Sequence, residues 1–416
     1  MQLNLSNYLI NNNSTKVSFF KHSYMNYNNF VNDTRRIGLQ TAPQFGHNSS
    51  WRIDLNNYGD LISNIILEID LPDISNILTT TGRNIGYTNG IGNILLQNVE
   101  LRINSELIDS QNNMFRNIWS ILSIPSGNKI NYNNMIKYFD PFSSLSFQGG
   151  KLLIPLMHWF CNYTYNKDKS FIFPLATFNN QTVEMIFTFA PLLNCIVSDD
   201  NSVPANLNNI NILNGQLLVD FITLPEKERL DLFKPHNYLI MQTGNIIHSL
   251  QAGINKTTIS LRQINYLVSE LLIIAQRDDV ANSPINDYFN FGDILNVNGR
   301  KSPIRKITLK FDGRDKYTDI PSQYFYNAMP LKSHSNMQTN MFIHCIPFAL
   351  FPEKMEQPSG VCNFSEIQDP LLLLEMEPNL PNMTISIFYL YYNILQTNNC
   401  GVSLLHSLSK SIPTKL

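Results

Sequence analysis

The feature that most narrows the folds open to this chain is apolar alternation with a period of two, which recurs along most of the sequence. Leu67, Ile69 and Leu71 alternate with Glu68 and Asp70, Val99, Leu101 and Ile103 with Asn98, Glu100 and Arg102, and Val183, Met185, Phe187 and Phe189 with Glu184 and Thr188 among their neighbours. Successive side chains of an extended strand point to opposite faces, so each run predicts a strand with one buried face. Beyond the midpoint come Ile259-Ser260-Leu261, an apolar run over 268–275, a strand at Ile307, a run over 385–392, then Asn393-Ile394-Leu395 and Gly401-Val402-Ser403. Aromatic and β-branched residues suit such pleated surfaces, and an all-β chain is expected. Helical spacing is local: Met114, Phe115, Ile118, Trp119 and Leu122 share a helix face, with Ser110 placed to cap it.

The alternation divides in two. Thr223-Leu224-Pro225-Glu226-Lys227-Glu228-Arg229 begins with capping-box spacing between Thr223 and Glu226, has acids in its first turn, and is stopped by Pro235. The expected layout is an Asn-rich arm over 1–18, a first sandwich over 19–222, a helical linker over 223–236 and a second sandwich over 237–416. Three echoes about two hundred residues apart point to one plan used twice. Val99-Glu100-Leu101-Arg102-Ile103-Asn104-Ser105 is matched by Ile307-Thr308-Leu309-Lys310-Phe311-Asp312-Gly313, Met114-Phe115-Arg116-Asn117 by Tyr324-Phe325-Tyr326-Asn327, and Asn180-Gln181-Thr182-Val183-Glu184-Met185 by Asn382-Met383-Thr384-Ile385-Ser386-Ile387.

Charge excludes some functions. Only 15% of residues are charged, the net charge is −2, and no block of Lys or Arg occurs, so no direct contact with nucleic acid is expected. The most basic stretch, Gly299-Arg300-Lys301-Ser302-Pro303-Ile304-Arg305-Lys306, reads as a turn entering a strand. Cys161, Cys195, Cys345, Cys362 and Cys400 are odd in number and scattered, which fits free thiols in a reducing compartment. No leader and no apolar run near the roughly 20 residues of a membrane span is evident, so a soluble, cytoplasmically made protein with at most peripheral membrane contact is expected. Asn-x-Ser/Thr triplets such as Asn162-Tyr163-Thr164 follow from Asn richness.

Catalytic chemistry requires convergent polar groups, and none is legible. The eight histidines are dispersed; His158, His344 and His406 lie in apolar surroundings that suit hydrogen-bonded core residues. Metal-ligand spacings are missing, and Ser359 lacks the flanking glycine of a nucleophile elbow. Asp199-Asp200 and Asp278-Asp279 fall at turns, and Gly86-Tyr87-Thr88-Asn89-Gly90-Ile91-Gly92 lacks the Gly-Lys-Ser/Thr ending of a phosphate loop and reads as a flexible connection to the next strand. No catalytic residue, cofactor or metal is assigned. A large, weakly charged, doubled β chain suits self-assembly, because uncharged surfaces cost less to desolvate.

The most informative segment spans 348–374. Its local physics predicts a strand ending at Pro352, a tight turn at Pro358-Ser359-Gly360, an inward anchor at Phe364 between Asn363 and Ser365, and a new apolar run after Pro370. Phe348-Ala349-Leu350-Phe351-Pro352-Glu353, followed by Gln357-Pro358-Ser359-Gly360 and Asn363-Phe364-Ser365, resembles the signature of the major capsid proteins of nucleocytoplasmic large DNA viruses. Trp51-Arg52-Ile53-Asp54 with Tyr58-Gly59-Asp60-Leu61-Ile62, the stretch over 95–108, Ile154-Pro155-Leu156 with Trp159-Phe160, Phe173-Pro174-Leu175-Ala176 and Glu228-Arg229 extend the resemblance. Glu366, where a basic residue is usual, the shortened Asn399-Cys400-Gly401-Val402 strand and the compact length depart from it.

The resemblance implies a double jelly roll of two eight-stranded antiparallel sandwiches in tandem, with short helices in loops and at the junction. It further implies a homotrimer of pseudo-hexagonal outline that tiles an icosahedral virion shell with neighbouring capsomers, minor capsid and penton proteins, assembled in the host cytoplasm. An N-terminal arm touching an internal membrane belongs to the same expectation. Two alternatives stay open here: a double jelly-roll scaffold or minor capsid protein, and a lectin-like or carbohydrate-active jelly roll.

Overall fold

Period-two runs of this kind need partners, and they find them in antiparallel sheets. The computed structural model describes residues 29–405 apart from 54–58, 139–148, 162–171, 179–180, 199, 203–206, 208–209, 294–298, 337–340, 355–356 and 399–400. The first half holds β1 (Val31–Gly38), β2 (Asn48–Ile53), β3 (Leu61–Leu71), β4 (Ile85–Tyr87), β5 (Leu96–Ile103), β6 (Glu106–Asn112), β7 (Gly150–Pro155), β8 (Val183–Phe189), β9 (Ile196–Ser198) and β10 (Asn214–Thr223). The second holds β11 (His236–Leu250), β12 (Lys256–Ser260), β13 (Leu267–Arg277), β14 (Ile304–Phe311), β15 (Arg314–Pro321), β16 (His344–Pro347), β17 (Cys362–Asn363), β18 (Pro370–Met376), β19 (Met383–Asn398) and β20 (Gly401–Leu404).

The two halves share one topology. The first pairs its strands as β1-β10-β3-β7 and β2-β8-β5-β6, the second as β11-β19-β13-β16 and β12-β18-β14-β15. Setting aside β4 and β9, which pair with each other, and β17 and β20, which extend the larger sheet, each strand of one half has a counterpart in the same place in the other. This is a double jelly roll. The arm over 1–18 lies outside the described residues. Among the described residues no helix is long and apolar enough to cross a membrane.

Burial follows the alternation. β8 and β18 each bury every second residue, whereas β13 is buried almost continuously from Val268 to Ala275. The continuous burial of β13, which takes in Ser269 and Glu270 as well as its apolar residues, reflects cover on both faces: its own sandwich lies on one side, and the sheet's other side meets the first half, where Phe388 of β19 packs against Phe115 at 6.0 Å.

Two echoes fall on equivalent places. β5 and β14 both turn into their partners through two residues of positive φ, Asn104 (48°) and Ser105 (69°) in one and Asp312 (50°) and Gly313 (77°) in the other, as a tight hairpin demands. Phe115 and Phe325 are both buried in the helical stretch after the hairpin. The third echo misaligns, because Val183 opens β8, whose counterpart is β18, while Ile385 lies in β19. Alternation alone cannot separate neighbouring strands that bury the same kind of face.

Caps also differ from expectation. Helix Asn113–Ser123 is capped by the Asn112 side chain, which accepts from Phe115 N at 2.7 Å, and Ser110 stays in β6 opposite Glu100, where strand pairing holds it. The linker helix runs Glu226–Leu232 behind Pro225, and the capping box is not formed, since Thr223 is held in β10 opposite Val31. Instead Asp60 accepts from Leu224 N and Arg229 Nε, each at 2.7 Å. The glycine-rich stretch is no flexible connection: Gly86 is paired in β4, and Gly90, at φ +64°, precedes a buried helical turn, Ile91–Leu95.

Candidate functional site

In the 348–374 segment β16 ends at Pro347, five residues before Pro352, and Phe348 N and Ala349 N both donate to Ser269 O at 2.8 and 3.0 Å. The reversal sits at 351–354, with Pro352 at its second position and Lys354 N donating to Phe351 O at 3.1 Å. Pro358-Ser359-Gly360 is therefore no tight turn but the returning limb, where Ser359 Oγ accepts from Phe351 N at 2.8 Å. Gly360 has φ +148°, and a Cβ there would stand 2.7 Å from Phe348 O, so this close approach requires glycine.

β17 then adds to β13, with Asn363 opposite Leu267. Asn363 Oδ1 accepts from Ser365 N (3.2 Å) and Ser365 Oγ (2.6 Å), and its amide donates to Glu366 Oε1 at 2.7 Å. Phe364, 1% exposed, meets Phe311 and Phe348 with ring centroids 5.5 and 5.7 Å away. The outer side of the same loop exposes Leu350, Phe351 and Val361.

The seam between the sandwiches is built from long polar side chains reaching backbone carbonyls. Gln242 donates to Ile108 O, Thr243 Oγ1 to Ser110 O at 3.1 Å, and Asn336 Nδ2 to Ile121 O at 2.9 Å. Asn286, fully buried at φ +49°, donates to both Leu193 O and Ile196 O at 2.7 Å and accepts from Thr88 Oγ1 at 2.9 Å through its own carbonyl. Trp119 stands edge-on to His334, and Tyr138 to Phe289 at 4.9 Å. Asn286→Ala takes the donor from the buried Ile196 carbonyl and the part-buried Leu193 carbonyl and is expected to destabilise the pair of sandwiches by about 1–3 kcal/mol, read as a lower urea midpoint; a midpoint within error of wild type would show that the seam does not rest on this residue.

Two buried histidines are held by structural hydrogen bonds. Asp109 Oδ2 lies 2.6 Å from His158 Nδ1, both side chains 0% exposed, and accepts from Gln111 Nε2 at 3.2 Å, while the imidazole stacks on Phe160 at 5.8 Å. His344 contacts Ser302 Oγ and Ile273 O, each at 3.2 Å, and burial pushes it down to about 4. His406 and Cys400 lie outside the described residues; Cys161, Cys195, Cys345 and Cys362 are free. In the basic stretch Arg300 pairs with Asp287 at 3.3 Å, and Arg305 and Lys306 with Glu375. Asp278 accepts from Thr384 Oγ1, and Asp279 pairs with Arg277; both open the short helix Asp278–Ala281 in place of the expected turn.

One grouping escaped the sequence: Glu270, His334 and Cys345 bring a carboxylate, an imidazole and a thiol within 4.8 Å of one another. Glu270 and His334 are 64 residues apart, and no local spacing could reveal them.

Residues 18–225 match a family model described as the major capsid protein N-terminus, and residues 226–402 one described as the large eukaryotic DNA virus major capsid protein. The chain is 26% identical over 387 residues to the major capsid protein of Paramecium bursaria Chlorella virus 1, covering 86% of this chain and 82% of that one. It is 24% identical over 411 residues to the major capsid protein of Pyramimonas orientalis virus, covering 92% and 91%. Its fold is similar to the quasi-atomic model of the PBCV-1 capsid (TM-score 0.74, 22% identity, 94% of this chain and 100% of that one) and to the Faustovirus major capsid protein (TM-score 0.73, 10% identity, 92% and 93%).

Proposed function

Since the chain belongs to the large eukaryotic DNA virus major capsid proteins, and so is a structural protein of the virion shell, we propose that it builds that shell as a homotrimer. Three double sandwiches close into a capsomer of pseudo-hexagonal outline, and the capsomers tile an icosahedral capsid. The observation that carries this reading is the shared strand order of two sandwiches fixed side by side: threefold closure of such a pair sets six like modules around one axis. Leu350, Phe351 and Val361, exposed at 71, 50 and 41%, offer apolar side chains for contact between copies.

The role is structural and non-catalytic in this proposal, and Pro358, Ser359, Gly360, Asn363, Phe364 and Ser365 serve it by fixing a loop. The layout of arm, first sandwich over 19–222, linker over 223–236 and second sandwich over 237–416 belongs to the same proposal. Its arm, carrying Leu3, Leu5, Leu9 and Ile10, reaches a neighbouring chain or an internal membrane, and the capsomer edges receive minor capsid and penton proteins.

Native mass spectrometry of the purified full chain tests the proposal. A species of three chains is expected; a stable monomer at micromolar concentration would overturn the capsomer, and absence of the chain from purified particles would assign it to a scaffold instead.

A further inference from the structure

The Glu270, His334 and Cys345 cluster is assembled from three elements of the second sandwich. β13 and β16 pair with Leu272 opposite Cys345, so Glu270, two residues from Leu272, lies diagonally across from Cys345 on the same face. His334 follows the helix Met329–Ser333 and directs Nε2 to Glu270 Oε1 at 2.9 Å. Its other nitrogen, Nδ1, lies 3.0 Å from Glu353 Oε1, and Glu353 is itself held by Ser335 N at 2.9 Å and by Ser335 Oγ. The side chains of Glu270 and His334 are 0% exposed, as is Cys345, and Glu270 Oε2 is buried without a hydrogen-bond partner.

We propose that this cluster binds a thiophilic divalent transition-metal ion of the zinc class, held by the Cys345 thiolate, His334 Nε2 and the Glu270 carboxylate, with Glu353 orienting the imidazole through Nδ1. Sulfur, nitrogen and oxygen donors together are zinc's own ligand set. Tetrahedral zinc separates its ligand atoms by about 3.3–3.6 Å, so atoms already within 4.8 Å need only small side-chain shifts. The unpartnered Glu270 oxygen supplies a donor facing no competitor. A carboxylate on the second imidazole nitrogen is the usual outer support of a metal-bound histidine.

The balance of charge is closed. On binding, the ion displaces the thiol proton of Cys345 and the Nε2 proton of the imidazolium. The Glu270 carboxylate and the Cys345 thiolate then neutralise the dication with Glu353 still on Nδ1, whereas without the ion Glu270 and Glu353 flank one imidazolium, so the net charge of the cluster is the same in both states. In the metal-free protein, burial opposes the charge on His334, while Glu270 and Cys345 beside it together raise the imidazole above its ordinary range. The ion would tie β13 and β16 to the segment after residue 333, which reaches the first sandwich through Asn336.

The test is metal analysis of the full chain, purified without chelator and refolded with Zn²⁺ or Co²⁺. About one zinc per chain is expected, and the cobalt form is expected to show a thiolate-to-cobalt absorption band with tetrahedral visible bands. Cys345→Ala removes both, whereas Cys362→Ala, at the half-buried thiol, keeps both. Glu353→Gln is expected to weaken binding about 10–100-fold. Should Cys345→Ala not fold, Glu270→Gln is the substitute, with folding of every variant scored by native mass spectrometry independently of metal. Zinc below about a tenth of an equivalent in a folded wild-type chain, or equal zinc in a folded cluster variant and wild type, overturns the site and leaves an imidazolium between two carboxylates.

Discussion

Phe364→Ala is expected to lower the stability of the second sandwich by about 3–5 kcal/mol, the range for emptying an aromatic site in a packed core. Phe364 has no solvent-facing alternative: it is 1% exposed and wedged between Phe311 and Phe348, and its own N–H donates to Tyr266 O at 3.1 Å. Truncation leaves that backbone bond in place and removes the ring that joins β14 to the loop after β16. Chemical denaturation should show the loss as a lower midpoint, and trimer yield at physiological temperature should fall with it. A variant as stable as wild type would mean that the loop is anchored elsewhere, through Gly360 or the Asn363 side chain.

The second large effect concerns Asp109 and His158. Breaking a buried pair by removing one member costs about 3–5 kcal/mol, because the other stays behind without a partner. Asp109→Ala takes the acceptor from His158 Nδ1 and from the Gln111 amide together. His158 lies among the rings of Trp159 and Phe160, which offer its Nδ1 no acceptor to match a carboxylate. The double variant Asp109→Leu with His158→Phe should recover most of the loss, since the cavity then holds apolar groups of similar size. If the double variant is no more stable than Asp109→Ala, the pair is not the unit that matters and the cost lies in the Ser110 N–H that Asp109 also satisfies.

Strands were the part of this fold most open to reading, because alternation is a local property. β8 keeps its period without a break, and the Asn104-Ser105 and Asp312-Gly313 hairpins announce themselves through residue types that tolerate positive φ. Where the sequence misled, strand pairing had decided between two local options. Ser110 and Thr223 are both sound caps, but each is held in a strand, Ser110 by Glu100 across the β5–β6 hairpin and Thr223 by Val31 at the far end of the first half. Pro358-Ser359-Gly360 has turn chemistry, yet Pro352 makes the turn and Gly360 is needed for its closeness to Phe348 O. The resemblance in the 348–374 segment carried the family; the cluster of Glu270, His334 and Cys345 was invisible because only strand pairing and a helix end bring its members together.

The polarity of the seam has a consequence for how such a chain tolerates sequence drift. Gln242, Thr243, Asn286 and Asn336 all belong to the second half, and what they grip in the first is main chain: the carbonyls of Ile108, Ser110, Ile121, Leu193 and Ile196. A carbonyl persists whatever side chain its residue carries. Substitution at the five gripped positions therefore leaves the grip intact, while substitution at the four gripping residues removes it. The two halves share one architecture but not one vulnerability: for these hydrogen bonds the first half supplies main chain that any residue retains, while the second is bound to its amides and hydroxyl.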